Sequence, residues 1–496
     1  MNKLPGKPII YWQVIKTKFW LLFTALQPLW LFLLILIIGI SMGGLAIIAN
    51  NASSKKWAAI VLLAVASPTV ALLMRDIRKL LLVGIIIDLP LGIDIALQNQ
   101  GWHMGGPTGY MVSLVTLILV AGYVLWIIDK HPKVKFCPVT TIPALIYIFM
   151  SIWSFQYSEH WQLSSFGLFL KVQVFLMYFY LTNHITTWDD LRLILIVIAI
   201  SLLVESLLMI LQYFTGFSLN LGGLITSSAY AEGGGGAGVS GRRVSGTLGV
   251  AGAAALYLNS MLTIIFGAYL ADNLIDKRLA LGAFILGAVA LITTSSRAGW
   301  AAFALGLLVI LTRAIRTPTS RQRASILFLG GILIGSLFGG PIVQRFSTVS
   351  SDSSRYELAT MAYNIQHNYP LGVGDNTYDL YMSDKYAHPA WVGHRLYPPH
   401  NKYLMIRTEL GPQGFLAWLI LVFAILWKMR WVFLKAKVNY DLSMLGAGVL
   451  GSIAAHLLHN RSETFNSRPH IQLFWFLIAF GTILSYFVTH RVEDPT

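Results

Sequence analysis

The sequence predicts an all-α polytopic membrane protein, with about 14 transmembrane helices and one large, partly helical loop outside the bilayer. Three observations carry that expectation. Of the 496 residues, 56% are hydrophobic and only 11% are charged, about half the charged share of a soluble domain. Apolar runs such as residues 29–49, 110–128, 191–211 and 471–488 reach the roughly 20 residues that cross a hydrocarbon core. One polar interruption late in the chain, residues 342–412, is about 70 residues long, far beyond an ordinary connection. The apolar runs do not alternate with period two, so helices satisfy their backbone groups and a barrel does not.

Spans are expected near residues 29–49, 57–73, 80–97, 110–128, 139–156, 163–182, 191–213, 248–270, 278–295, 298–312 and 325–341. Three more follow near 413–427, 443–459 and 470–488. The organisation is then an N-terminal cytoplasmic segment (1–28), eleven spans over 29–341 with a Gly-rich outer loop near 214–247, and the large loop (342–412). Three spans over 413–488 and a cytoplasmic tail (489–496) complete it. The first apolar run has no clear small-residue cleavage site behind it, so a retained span is expected rather than a signal peptide. The lone Cys137 excludes an internal disulfide and a multi-cysteine metal centre.

The formal charge of +15 is first a topology signal. With both ends cytoplasmic, the inner segments hold Lys3, Lys7, Lys16 and Lys18, then Arg75, Arg78 and Lys79, then Lys130, Lys133 and Lys135. Further inner clusters are Lys277 with Arg278, the Arg313–Arg323 group and the Lys428–Lys437 group, so most Lys and Arg lie inside, as the positive-inside rule requires. Lys55 and Lys56 alone sit badly with it. Nucleic acid is therefore not expected as a partner. The outer basic residues are not demanded by topology, and arginine dominates them: Arg242, Arg243, Arg297, Arg345, Arg355, Arg395, Arg407, Arg461 and Arg468. Guanidinium forks suit phosphate or carboxylate, so the outer face is built for an anion.

Within that face, the run 233–238 is glycine-rich but lacks the Gly-Lys-Ser/Thr ending of a phosphate-binding loop, and it is read as a linker. Arg242 and Arg243 at the mouth of the next span either anchor lipid headgroups or hold a phosphate. Arg297 lies in a hairpin with hardly any loop around it, where an ionisable side chain is functional or else satisfies span-end carbonyls. In the large loop, residues 354–368 form a helix that stops before Tyr369-Pro370. His400, stiffened by Pro398-Pro399, can take a proton from an alcohol without a metal; a structural loop histidine is the competing account, and His388 and His394 are rivals. His456, His459 and His470 with Glu463 are weak evidence for a metal, and no metal or cofactor is expected. Asp88, Lys171 and Glu205 inside spans serve either an ion path or buried pairing.

Four segments in this order resemble the O-antigen ligase and O-antigen polymerase superfamily of bacterial membrane glycosyltransferases. They are Arg243-Val244-Ser245-Gly246-Thr247, Ser295-Ser296-Arg297-Ala298-Gly299-Trp300, Ser354-Arg355-Tyr356 with Tyr369-Pro370-Leu371-Gly372-Val373-Gly374, and Pro399-His400-Asn401-Lys402-Tyr403-Leu404 with Glu409-Leu410-Gly411. The resemblance covers about residues 240–435. One departure is Gly249-Val250-Ala251-Gly252, where the family often has Asn-Pro-Asn.

The resemblance implies a multi-pass protein of the bacterial inner membrane, with its large loop periplasmic. The implied donor is an undecaprenyl-diphosphate-linked glycan, and a lipid, glycan or protein hydroxyl is the acceptor. It further implies that Arg243, Arg297 and Arg355 hold the diphosphate and that His400 is the general base. Arg242, Asn401 and Tyr403 are supporting candidates. A ligase-type transfer is expected first. A polymerase of O-antigen or exopolysaccharide is the alternative within the family, and a transporter or flippase of lipid-linked anionic glycans is the alternative outside it.

Overall fold

The computed structural model describes residues 76–103, 105–129, 134–216, 220–221, 224–225, 229–230, 242–337, 339–340, 343, 352–393, 396–435 and 439–490. The expected spans at 29–49 and 57–73, the N-terminal segment with its lysines, the Gly-rich run 233–238, the side chain of Arg242, Arg345, His394, Arg395 and the tail from residue 491 lie outside the described residues. The chain divides into two compact units, Met1–Leu80 and Leu81–Thr496. The first contributes only residues 76–80 to the described set, and the second holds every element from β1 onward.

The helices are α1 (Ile77–Ile87), α2 (Leu114–Ile128), α3 (Pro138–Trp153), α4 (Trp161–His184), α5 (Trp188–Thr215), α6 (Ala251–Leu270) and α7 (Lys277–Thr293). They continue as α8 (Arg297–Ala314), α9 (Pro318–Leu337), α10 (Asp352–Asn368), α11 (Lys402–Lys435), α12 (Tyr440–His459) and α13 (Arg468–His490). Among the described residues eight helices are long and apolar enough to cross a membrane: α3 to α6, α8 and α11 to α13. Local chemistry starts several of them. Ser113 and Thr116 form a capping box on α2, Thr187 and Asp190 another on α5, and Asp276 caps α7.

The span expected over 80–97 is a helix only as far as Ile87. Pro90 cannot continue the ladder, and Asp88 is drawn into a buried ion pair with Arg468. The chain then forms β1 (Asp94–Leu97), paired antiparallel with β2 (Tyr110–Ser113) so that Asp94 faces Ser113. Arg468 also pairs with Asp94 and donates to Leu91 O, so the first residue of α13 holds the hairpin against that helix.

The centre of the helical body is α6, with 94% of its span buried by protein rather than lipid. It packs against α12 by small residues. A Cβ at Gly267 would lie 2.7 Å from Met444 O and 2.9 Å from Gly448 Cα. Gly451 on α12 approaches the Gly306 carbonyl of α8 in the same way, at 2.6 Å. Such backbone-to-backbone contact fixes α6, α8 and α12 as one block.

The large loop carries α10, which ends before Tyr369-Pro370 as the sequence predicts. Beneath α10 lies a small core of Leu358, Met361, Ile365, Tyr378, Tyr381 and Met405. The following stretch is sewn into the helices. Val373 N donates to Thr408 O and Gly374 N to Glu409 O, each at 3.0 Å. Asn376 Nδ2 donates to Pro107 O and Leu163 O, also at 3.0 Å, and His103 bridges Asn376 and Asp379. Gly411 (φ 69°, ψ −173°) kinks α11, and a Cβ there would sit 2.2 Å from Leu371 O. Gly411→Ala is therefore expected to cost about 1–3 kcal/mol through strain and to unseat the loop. Limited proteolysis should show faster cleavage between Tyr369 and Tyr381; wild-type cleavage would mean that Leu371 simply moves aside.

Candidate active site

His400 stands two residues before α11, on a backbone held from both sides. Asn401 Oδ1 accepts the N–H groups of Tyr403 at 3.0 Å and Leu404 at 3.3 Å, which caps the helix. Lys402 N donates to Asn460 O at 2.9 Å, and Tyr403 OH to Leu457 O at 2.5 Å. Asn401 and Tyr403, expected as supporting residues, thus hold the mount of His400 against the end of α12.

The partner of His400 is Glu463, from the connection between α12 and α13. His400 Nδ1 lies 2.7 Å from Glu463 Oε2, and Arg355 reaches to 4.0 Å from the other carboxylate oxygen. A carboxylate only accepts, so Nδ1–H donates and Nε2 is left to take a proton. Burial pushes the Glu463 carboxyl up, but the hydrogen bond from His400 and the charge of Arg355 are among the contacts that outweigh it and hold it below the usual range. His400 and Arg355 are 41% and 40% exposed, open to an incoming substrate. Glu463 also borders the first turn of α6, where a Cβ at Gly252 would be 3.5 Å from its side chain. The cap residue Val250 supplies no side-chain hydrogen bond to that turn.

The other two arginines meet at the hairpin between α7 and α8. Arg243 Nε donates to Thr294 O at 3.3 Å and Val244 N to Thr293 O at 3.4 Å. The next residues turn through Ser295 (φ 51°) and Ser296, which caps α8, and Arg297 is its first residue. Gly299 packs on Ala255 of α6, and Asn259 Nδ2 donates to Gly299 O at 3.0 Å. Each group thus has a link to the N-terminal half of α6: the hairpin that carries Arg297 through Gly299 on Ala255 and Asn259, and the His400–Glu463 pair through Glu463 beside Gly252.

The segment after Arg243 is fixed by α5. Glu205 Oε1 accepts from Thr247 N at 2.7 Å, its Oε2 accepts from Thr247 Oγ1 at 2.9 Å, and Gln212 accepts from Gly246 N at 3.0 Å. Gly246 (φ 58°) would drive a Cβ to 1.7 Å from Glu205, so glycine is required there. Glu205 is thus a pin for the Arg-x-x-Gly-Thr turn. Lys171 Nζ lies 2.5 Å from both oxygens of Asp375, and Asp88 pairs with Arg468. All three ionisable residues expected inside spans are engaged in fixed, buried contacts.

A cavity of about 50 Å³ is lined by Lys171, Asp375, Lys402, Glu409, His456 and His470 among others. His456 stacks on Phe474 and His459 meets Phe465 edge-on. Among the described residues no three His, Cys, Asp or Glu side chains are grouped to hold a metal ion. His388 caps the short helical turn at Pro389–Trp391.

Sequence reasoning missed Glu463 as the partner of His400. The available signal is its place on a short connection among arginines and histidines, but residue type alone groups it with His456, His459 and His470.

Residues 282–419 match the family model described as O-Antigen ligase. The match supports the resemblance to that superfamily and a membrane enzyme of O-antigen ligase or polymerase type. It includes Arg297, Arg355 and His400 and excludes Arg243 and Glu463. No curated protein matches the chain.

Proposed function

We propose that this chain is a metal-independent glycosyltransferase that moves a glycan from an undecaprenyl-diphosphate donor to an acceptor hydroxyl, as an O-antigen ligase-type enzyme. The observation that carries the proposal is the His400–Glu463–Arg355 cluster; Arg243 and Arg297, on the hairpin that packs on α6, are proposed to complete the site. The proposed setting is the periplasmic face of the inner membrane, with both termini cytoplasmic. The distribution of basic residues supports that orientation.

In the proposed step the acceptor oxygen attacks the anomeric carbon and a new C–O bond forms. The bond from that carbon to the phosphate oxygen breaks, and undecaprenyl diphosphate leaves with the electron pair. The hydroxyl proton passes to His400 Nε2 while Glu463, on Nδ1, stabilises the imidazolium. Negative charge gathers on the departing diphosphate, where fixed guanidinium groups stabilise it most in the transition state. The first turns of α6 and α8 add backbone N–H groups and the positive ends of two helix dipoles to the same region.

The test is transfer in proteoliposomes, with an undecaprenyl-diphosphate oligosaccharide as donor and lipid A core, the same glycan or a protein as acceptor. Glycan moved to lipid A core supports a ligase; elongated glycan still on undecaprenyl would make the chain a polymerase, and an absence of transfer from any donor would overturn the proposal. Arg297→Lys keeps the charge but loses the planar fork, so transfer is expected to fall by about tenfold or more. Wild-type rates in that variant would reduce Arg297 to a lipid anchor.

A further inference from the structure

One face of α10 has no role in the chemistry described so far. Its inner face is buried, with Leu358, Met361, Ala362 and Ile365 in the core of the loop. On the outer face Tyr356 is 72% exposed and Tyr363 56% exposed. Residues seven apart return to the same face, so Tyr356, Thr360, Tyr363 and His367 form one stripe along the helix. Tyr356 directly follows Arg355, which reaches the Glu463 carboxylate. The stripe therefore begins at the active-site cluster and runs away from it towards Asn368.

Two large rings held out from an otherwise well-packed helix offer a binding face, and its composition decides what fits it. A helix that lies on a membrane carries Trp, Phe or Leu on one side and several Lys or Arg on the other. The sequence of α10 contains no Trp, Phe or Lys and a single Arg, and its one Leu is buried inward. Rings alternating with a hydroxyl and an imidazole suit a pyranose, which offers an apolar C–H face to an aromatic ring and hydroxyls to its neighbours. The tyrosines are about 10 Å apart along the axis, which is about two sugar rings laid end to end.

We infer that the Tyr356–Tyr363 stripe of α10 is a glycan-binding subsite, on which the sugar chain of the donor lies as it extends from the diphosphate. This inference rests on the proposed transferase function for the orientation of the glycan, and the tyrosines act by holding substrate rather than by taking part in bond making.

The test uses the full chain in nanodiscs and the free glycan released by mild acid from the lipid-linked pool of the native host, fractionated by length. Saturation-transfer NMR reads contact with sugar C–H protons without requiring any turnover. The expected result is strong transfer of saturation to fragments of several sugars. The signal should drop at least fivefold in the Tyr356→Ala/Tyr363→Ala pair and persist in the Tyr356→Phe/Tyr363→Phe pair, which keeps the rings. Equal signals in the alanine pair and the wild type would overturn the inference. So would a nitroxide on Tyr363→Cys, in a Cys137→Ser background, that collides with oxygen in preference to an aqueous nickel chelate, because that places the stripe in lipid. If His400-dependent transfer is intact and the stripe shows no glycan contact, the subsite alone fails. Contact without any transfer would instead fault the catalytic proposal.

Discussion

Replacing His400 by alanine is expected to lower glycan transfer by about 10²–10⁴-fold, the usual contribution of a positioned general base. Protein level and membrane insertion should not change, because the side chain is 41% exposed and its backbone is held independently by Asn401 and Lys402. Glu463→Gln should act through His400, with a loss of up to about 10⁴-fold because the amide can leave the imidazole in the wrong tautomer. The same variant has a signature in stability. The folded Glu463 carboxyl is held below the usual carboxylate range, so its contribution is present above the ordinary value and is lost as pH falls through the depressed one. Thermal midpoints measured against pH should therefore show an acid-side loss in the wild type that is absent from Glu463→Gln. Near wild-type transfer by correctly inserted His400→Ala would sink the base assignment whatever Glu463 does.

The second large effect is on the fold. Lys171→Met would strand Asp375 in a site where both side chains are almost fully buried, at an expected cost of about 3–5 kcal/mol. A buried ion pair differs from its two halves: replacing both partners by apolar groups removes the stranded charge. Lys171→Met/Asp375→Leu is therefore expected to recover much of the loss, which gives a large coupling in a double-mutant cycle. Unfolding in detergent followed by tryptophan fluorescence measures all three variants. Additive effects would show that the pair does not join α4 to the loop. The transporter alternative has a separate test: substituting Asp88, Lys171 and Glu205 would disable a transporter and leave a transferase largely active.

Much of the helical architecture was legible because span length and hydropathy are local properties. Residues 163–182 and 248–270 fall within or close to α4 and α6, and α10 ends where Pro370 forbids continuation. The failure at 80–97 was physical: the stretch is apolar enough to span, but Pro90 and the buried Asp88–Arg468 pair stop the helix at Ile87. Asn401, a supporting candidate, caps α11 directly after His400, a role that an Asn just ahead of a helix makes legible. The pairings Lys171–Asp375 and His400–Glu463 join residues 204 and 63 positions apart. Hydropathy carries no information about such pairs, because helix packing brings them together.

The position of Glu463 also has a consequence for biosynthesis. The carboxylate that orients His400 lies between α12 and α13, beyond the stretch that matches the family model, and it rests against the opening turn of α6. While the nascent chain is emerging, His400 and Arg355 leave the ribosome before their acidic partner. The charge cluster can close only after translation has passed Glu463 and α12 has docked on α6, so the machinery is assembled late and an arrested chain ending before that point carries an unpaired histidine.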